Sequence, residues 1–552
     1  MRLSVDVAAL GTGQRARNFD VVVIGSGYGA GVLAARLSTT PLSIAVLERG
    51  RELGADDFPT HGRALRRETQ IHDGAARLGS PLGLFDIRLN PELAVLVGCG
   101  LGGTSLINAN VSILPSPRVF TDPAWPVALT PAALAPYYAR AKAMLRPAPT
   151  PVLYGKALQL QRLAQAVGAP FGSTDVNVNF TPPRHPGDQP QCTLCGNCVM
   201  GCRYGAKNTL CETYLPLAKR NGAQIFTQCA VRWIERRGER FVVHYHRVTA
   251  DGRATPHALG ARAVVVGAGA LGSTEILLRS AAHGLAVSPR LGARFSGNGD
   301  SMALGYDFAD EVDSVGFGPR TRRAPKVGPT ISGIVDLRSD DAARPLHESL
   351  IIEEGAFPGA MAGLLRYVVQ LAATVAGTPT RLPLRLWAAA RWRELLDVLG
   401  VDPLDGALNH TQLYFAIGHD GSGGRLELDN DRIRVRWPGI TELPVFELAE
   451  RRMRALTESR HGQHVHNPFW HAGKLSRMIT AHPLGGCALG NDSDRGVVND
   501  RGQVFDGQGG VHERLFVVDG AIVPTSVGVN PLWTITALAE WIAEHARAQL
   551  AA

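Results

Sequence analysis

The sequence predicts an α/β protein organised around a Rossmann-like unit, and three observations predict it. A short apolar strand runs into a glycine-rich turn and an Ala/Leu helix at residues 19–38. A second strand–glycine–helix unit follows at 263–280, and a strand and a long helix close the chain. Glycine is also abundant, 62 of 552 residues, and has no every-third-residue period. With 45% hydrophobic residues the chain is no flexible glycine-rich polymer, so the surplus marks turns and close backbone approach.

The elements justify themselves in order. Val21–Ile24 reads as a buried parallel strand, and Gly25-Ser26-Gly27-Tyr28-Gly29-Ala30 turns into the first helix. Ser43–Leu47 returns as a strand ending at Glu48, 23 residues past Gly25. Glycines let the backbone approach a pyrophosphate at a helix N-terminus, and the acid takes ribose hydroxyls. The stretch Gly98–Asn108 holds four glycines in six residues, a surface of bare N–H groups suited to a second part of the same dinucleotide. Gly267-x-Gly269-x-x-Gly272 lacks a following strand that ends in an acid. It reads as a returning strand and helix of the first domain, with a second nucleotide site as the alternative. Finally Arg514–Gly520 reads as a strand ending in Asp519-Gly520 beside the cofactor, and Asn530-Pro531 starts a helix running to about Ala548.

Composition removes several functions. Lys plus Arg exceed Asp plus Glu by 57 − 49 = +8, spread without a basic arm, so no nucleic-acid partner is expected. The mild excess leaves peripheral contact with an anionic membrane surface open. No run of eighteen apolar residues and no secretory signal is found, which predicts a cytoplasmic protein. Four of the eight cysteines fall within eleven residues, which favours metal or redox chemistry over structural disulfides.

Taken together, VVVIGSGYGAGVLAARL, VGCGLGGTSLINANV, IIEEGAFP, and AHPLGGCALG followed by LFVVDGAIVPTSVGVNPLWTITALAE resemble the glucose–methanol–choline (GMC) oxidoreductases, in particular their cholesterol-oxidase-like bacterial branch. The resemblance spans residues 19–540. It implies an FAD-binding domain of GMC type built from 15–115, 216–299 and 476–552. A discontinuous α+β substrate-binding domain would take 116–215 and 300–475. It places FAD against Gly25, Gly27, Tyr28, Gly29, Glu48, Gly98, Gly103, Thr104, Ser105, Asn108, Val231, Asp519, Gly520, Asn530 and Pro531. It also implies FAD-dependent oxidation of a sterol or other bulky apolar alcohol, with His482 and Asn530 as the catalytic pair. A histidine titrates near neutrality and accepts the hydroxyl proton as hydride leaves the carbinol carbon. Glu353 of Ile-Glu-Glu-Gly-x-x-Pro would move a proton in sterol isomerisation, with adjacent Glu354 as the alternative register. The other readings are a flavin reductase using NAD(P)H and a flavin/iron–sulfur electron-transfer subunit.

Cys192-x2-Cys195-x2-Cys198-x3-Cys202 has the spacing of a bacterial ferredoxin run, although Arg203 replaces the usual proline. It predicts a 4Fe–4S or 3Fe–4S cluster within the segment 192–211, with Cys202 or Cys211 as fourth ligand. The alternatives are a redox disulfide between Cys195 and Cys198 and cysteines that are merely buried and free. Electrons would then pass to oxygen, or through the cluster to an acceptor protein. Cys99 and Cys487 read as small packing residues. Residues 356–405 are the least family-like stretch. Leu364, Leu365, Val368 and Leu371 recur at helical spacing, as do Trp392, Leu395, Leu396 and Leu399, with Arg366, Arg381, Arg385, Arg391 and Arg393 among them. The first reading is a helical pair covering the substrate domain; the second is a lid that docks on a membrane or an apolar substrate.

Overall fold

In the computed structural model of the chain, the described residues are 2–11, 17–74, 76–318, 327–339, 341, 343–378, 382–467 and 478–551. Arg381 and the expected segment bounds at 15, 475 and 476 lie outside them. The core of the sheet is made of the short apolar runs Val21–Ile24, Ile44–Leu47 and Ala263–Val266, buried throughout, the pattern of a sheet covered on both faces. Four strands stand parallel in the order Gln224–Phe226, Ile44–Leu47, Asn18–Ile24 and Ala254–Val266, and Val511–Val517 extends the parallel set. An antiparallel hairpin of Cys229–Arg237 and Arg240–Val248 pairs with the first half of Ala254–Val266, and Gln503–Phe505 pairs with Val511–Val517. The helices Tyr28–Leu37, Gly269–Ala282 and Leu532–Ala551 pack on this sheet. The α/β class is therefore as the sequence predicts. Gly267–Gly272 belongs to the same sheet as the first glycine turn, since Val266 pairs with Ile24 and the Gly267 amide donates to the Ile24 carbonyl at 2.8 Å.

A second, six-stranded antiparallel sheet runs Gln463–Val465, Ser301–Tyr306, Gln412–Ile417, Ile351–Gly355, Gly333–Asp336 and Phe171–Ser173. The helices Gly155–Ala166 and Pro444–Glu458 cover one face through Leu160, Leu163, Met453 and Leu456. The helices Ala362–Ala376 and Leu384–Leu399 lie toward the other. A third sheet joins Met478–Thr480 to Leu93–Gly98, Phe85–Leu89, Thr69–Asp73 and Ala76–Gly79. The hairpin Arg425–Arg436, numbered within 300–475, packs instead on this third sheet and on Gly269–Ala282, because Leu426, Ile433 and Val435 bury against Leu93, Val95, Ala270 and Leu271. Among the described residues no helix is long and apolar enough to cross a membrane.

Candidate active site

The cradle starts at the end of Asn18–Ile24. Gly25 has φ +91°, and a Cβ there would stand 2.2 Å from the Gly267 carbonyl oxygen, so only glycine lets the first and third turns meet. At Gly29 a Cβ would stand 2.1 Å from the Val518 carbonyl oxygen, which seats the first helix against the last strand. Gly27 is different: nothing lies within 4 Å of a Cβ built on it, and it opens the N-terminus of Tyr28–Leu37 onto free space. That end carries no side-chain cap, so its amides remain donors for an anionic ligand.

The other residues expected to meet FAD have the following places. Glu48 is buried; its carboxylate accepts from Ser26 Oγ at 2.5 Å and from the Gly50 amide at 2.7 Å. Burial raises its pKa, with those hydrogen bonds acting against the rise. Ser26 Oγ accepts from the Gly102 amide at 2.9 Å, tying the second glycine cluster to the first. Gly103 comes within 3.1 Å (from its would-be Cβ) of the Gly27 Cα. Thr104 Oγ1 accepts from the Gly98 amide, and Ser105 Oγ is held by Gly102 and Leu210. Asn108 Nδ2 donates to the Tyr28 hydroxyl at 2.9 Å, while its Oδ1 is buried without a protein partner. Val231 is buried beside the register shift of its hairpin. Asp519 is committed to the protein: its carboxylate accepts from the Gly269 amide at 2.7 Å, Ser273 Oγ at 2.5 Å and the Ala521 amide at 2.8 Å. It therefore fills the helix N-terminus that a second nucleotide would need. Gly520 accepts through its carbonyl from the Gly485 amide, which aligns the His482 loop with the last strand. Pro531 opens the final helix, accepting from the Ile535 amide, and that helix runs Leu532–Ala551.

The catalytic candidates converge from three distant segments. His482 Nδ1 lies 2.8 Å from Asp300 Oδ1, and Asp300 Oδ2 accepts from Thr480 Oγ1 and the Ala481 amide. Burial works to lower the histidine pKa, but the Asp300 charge and hydrogen bond, with Glu353 adding to them, raise it overall. Asn530 Nδ2 donates to Glu353 Oε2 at 3.4 Å. Asn530 Oδ1 and Glu353 Oε1 are buried and have no protein partner. Desolvation pushes Glu353 up to about 8, against the pull of His482 and Asn530. Adjacent Glu354 points to the opposite face, where Lys156 Nζ, Ser332 Oγ and the Ser332 and Gly333 amides supply four donors. The register is thus decided: Glu353 faces His482 and Asn530. Asp300 escaped the sequence reading because a lone acid after Gly299 carries no motif; the only signal was its place in Gly-Asn-Gly-Asp, a turn entering a strand.

The uncapped cradle and the unpartnered oxygens of Asn108, Asn530 and Glu353 fit a flat, multiply hydrogen-bonding dinucleotide. A family profile described as GMC oxidoreductase matches residues 20–297 with its N-terminal part and 445–539 with its C-terminal part. The chain belongs to the GMC oxidoreductase family. It is similar to a cholesterol oxidase of Mycobacterium tuberculosis, 28% identical with 95% of this chain and 90% of that one covered. A cholesterol oxidase of Acinetobacter baumannii is 27% identical with 95% and 93% covered. A long-chain-alcohol oxidase of Arabidopsis thaliana is 24% identical over 94% of this chain and 66% of its own. Among solved structures, pyridoxine 4-oxidase from Mesorbium loti superposes with TM-score 0.60 at 17% identity, covering 95% of this chain and 98% of that one. A formate oxidase gives TM-score 0.61 at 14% identity with 96% and 98% covered. The GMC fold and an FAD-dependent oxidoreductase acting on CH–OH groups follow from these matches.

The GMC chain carries a further feature. Cys192, Cys195, Cys198 and Cys202 line one cavity of about 340 Å³ together with Phe58, Tyr204 and Lys207. Burial and the neighbouring thiols push Cys192 up to about 12. Lys207, fully buried, donates to the Cys198 carbonyl at 3.1 Å and to the Leu106 and Asn108 carbonyls at 3.0 and 2.7 Å, linking this loop to the second glycine cluster. Cys211 sits apart from that lining, its Sγ donating to the Leu101 carbonyl. All eight cysteines are free thiols, and Cys99 and Cys487 are buried as packing residues.

Proposed function

We propose that this GMC oxidoreductase oxidises the secondary or primary alcohol of a sterol or a similarly bulky apolar molecule. One observation carries the reading: His482, Asn530 and Glu353 stand together, and Asn530 Oδ1 and Glu353 Oε1 are buried there without a protein partner. FAD, held by Gly25–Gly29, Glu48 and Gly98–Asn108, supplies the hydride acceptor when bound. His482 does the protein's share of the chemistry. With Nδ1–H donating to Asp300, its Nε2 lone pair accepts the alcohol proton, and Asp300 stabilises the resulting imidazolium. Asn530 holds the substrate oxygen through its free amide oxygen or shared amide hydrogens, fixing the carbinol in register. Glu353, in its ionised form, is poised to withdraw a proton from one carbon of a sterol ketone and return the same proton to another as the double bond shifts, and a pKa raised to about 8 makes its carboxylate a stronger base. Cholesterol oxidases and a long-chain-alcohol oxidase among the relatives support the substrate class.

The cysteine loop supports an electron outlet. Four thiols around one cavity fit an iron–sulfur cluster held by Cys192, Cys195, Cys198 and Cys202, which would accept single electrons and pass them to an acceptor protein. Anaerobic mixing with a panel of sterols and long-chain alcohols tests the oxidation: the flavin bleaches with its substrate, and reoxidation on adding oxygen separates an oxidase from a dehydrogenase. Bleaching by NADH without alcohol would favour the reductase reading instead. Iron and sulfide analysis of anaerobically purified protein tests the cluster, and a spectrum due to flavin alone would remove it.

A further inference from the structure

The helices Ala362–Ala376 and Leu384–Leu399 carry a large apolar face on their outer side. Leu364, Leu371 and Val375 form an exposed stripe along the first, and Leu384, Trp392 and Leu399 along the second, with Val375 76% and Leu384 79% exposed. Of the 19 large hydrophobic side chains left exposed among the described residues, 11 lie between 364 and 399, so the exposure is concentrated rather than scattered. The inward face of the second helix is polar. Arg393 Nε pairs with Asp307 at 2.5 Å, Glu394 accepts from the Tyr306 hydroxyl, and Asp397 accepts from the Leu408 amide. Arg366 of the first helix is buried and donates to the Val401 carbonyl at 2.9 Å. A helix folded only to cover a core puts its apolar stripe inward. Here Leu365, Val369 and Ala373 seat the first helix and charged groups the second, and a further apolar stripe faces out on both.

Two further features say what covers it. The outward stripes carry no exposed carboxylate, because Glu394 and Asp397 point inward, while Arg385 stands exposed among the apolar residues and Arg391, also exposed, pairs with Glu394 at 2.7 Å. A second copy of this face would bring arginine against arginine, whereas an anionic lipid surface complements both cations and apolar residues. Exposed Trp387, Trp392 and Tyr367 are the amphipathic rings that settle at a lipid–water boundary. At 15 and 16 residues the helices measure about 22–24 Å, too short to span a bilayer of about 30 Å, so they lie on it. The inner face of the first helix, through Leu365, Val369 and Ala373, packs toward Phe415, the residue paired with Glu353. Docking would therefore set the candidate active site next to the lipid from which an apolar alcohol is drawn.

We propose that the outward face of the helical pair 362–376 and 384–399 docks this enzyme on anionic phospholipid bilayers. The geometry alone carries the docking; the delivery of substrate rests on the alcohol-oxidation reading. FAD-loaded full-length protein is floated with vesicles of phosphatidylcholine alone and with 30% phosphatidylglycerol. The expected result is flotation with the anionic vesicles, falling with salt, and a loss of about tenfold in the bound fraction for Leu371→Ser/Trp392→Ser. These positions are exposed, so unchanged flavin content and circular dichroism confirm the fold. Wild-type protein that stays unbound to anionic vesicles, or a variant that binds as well as wild type, overturns the proposal. So does a dimer in sedimentation velocity that the same substitutions dissolve, which would assign the face to a second copy. Bleaching by a panel of sterols and long-chain alcohols presented in detergent micelles, without vesicles, is read in parallel: its absence counts against the alcohol reading and leaves the flotation result standing.

Discussion

The two faces of the strand Ile351–Gly355 show the same side chain in opposite conditions. Glu354 is buried against Lys156 and three further donors, and nothing is left for a ligand to satisfy. Glu353, one residue earlier and equally buried, has one long hydrogen bond and an oxygen with no partner. The pleat sends one carboxylate into the scaffold and the other into the site. A buried polar group that lacks a protein partner costs stability, so where it persists it marks the surface a ligand completes. The same contrast separates Asp519, whose carboxylate is filled by three protein donors, from Asn108 and Asn530, whose amide oxygens are free.

This contrast can be broken at several points. The largest effect is expected at His482: His482→Ala should slow flavin reduction by substrate by about 10³-fold while FAD stays bound, as loss of a general base does. Anaerobic stopped-flow measures it, and unchanged reduction would remove the residue from the mechanism. On the scaffold side, Lys156→Met should cost about 3–5 kcal/mol of stability by stranding the Glu354 charge. Lys156→Met/Glu354→Leu should recover most of that loss in urea unfolding, and a double variant no better than the single would refute the buried pair. Asp300→Asn should lower the rate about tenfold and move its acid limb to lower pH, because Asp300 is what lifts the His482 pKa. An acid limb that stays in place would show the histidine is tuned otherwise. The smallest effect on flavin reduction belongs to Glu353→Gln, within about tenfold, yet it should stop isomerisation of a sterol ketone. Its stability signature is signed. The folded carboxyl is raised from 4.5 to about 8, so wild type loses stability as pH rises through that window. The melting temperature of Glu353→Gln should therefore gain on wild type between those values, and parallel curves would contradict a buried neutral acid.

The sequence made the cradle legible because its constraint is steric and local. A glycine demanded by a 2.2 Å approach leaves the same mark in sequence as in structure, and so do the strand before it and the acid at Glu48. His482 and Asn530 were named only through the family resemblance of AHPLGGCALG and LFVVDGAIVPTSVGVNPLWTITALAE. What could not be read is set by long-range pairing. Asp300 gains its role from a histidine 182 positions away, and Lys156 finds Glu354 across 198. The choice between Glu353 and Glu354 needed the strand's register, which adjacent identical side chains do not encode. The helical pair teaches the opposite lesson. The spacing of Leu364, Val368 and Leu371 gave the helix correctly, but periodicity fixes only that a face exists, and here that face points to the outside.

The contact of Gly29 with Val518 also sets an order of events during synthesis. The first turn of the cradle emerges from the ribosome about 490 residues before the strand that backs it, at roughly half a minute to a minute and a half of elongation. Through that interval Val264–Val266 waits for Leu515–Val517 with one edge unpaired, and the His482 loop is not yet made. A nascent or truncated chain lacking the last forty residues thus has no complete place for its cofactor, however well its N-terminal fingerprint is formed. The N-terminal fingerprint and the strand Val511–Val517 are thus two halves of one surface, joined only once both have been made.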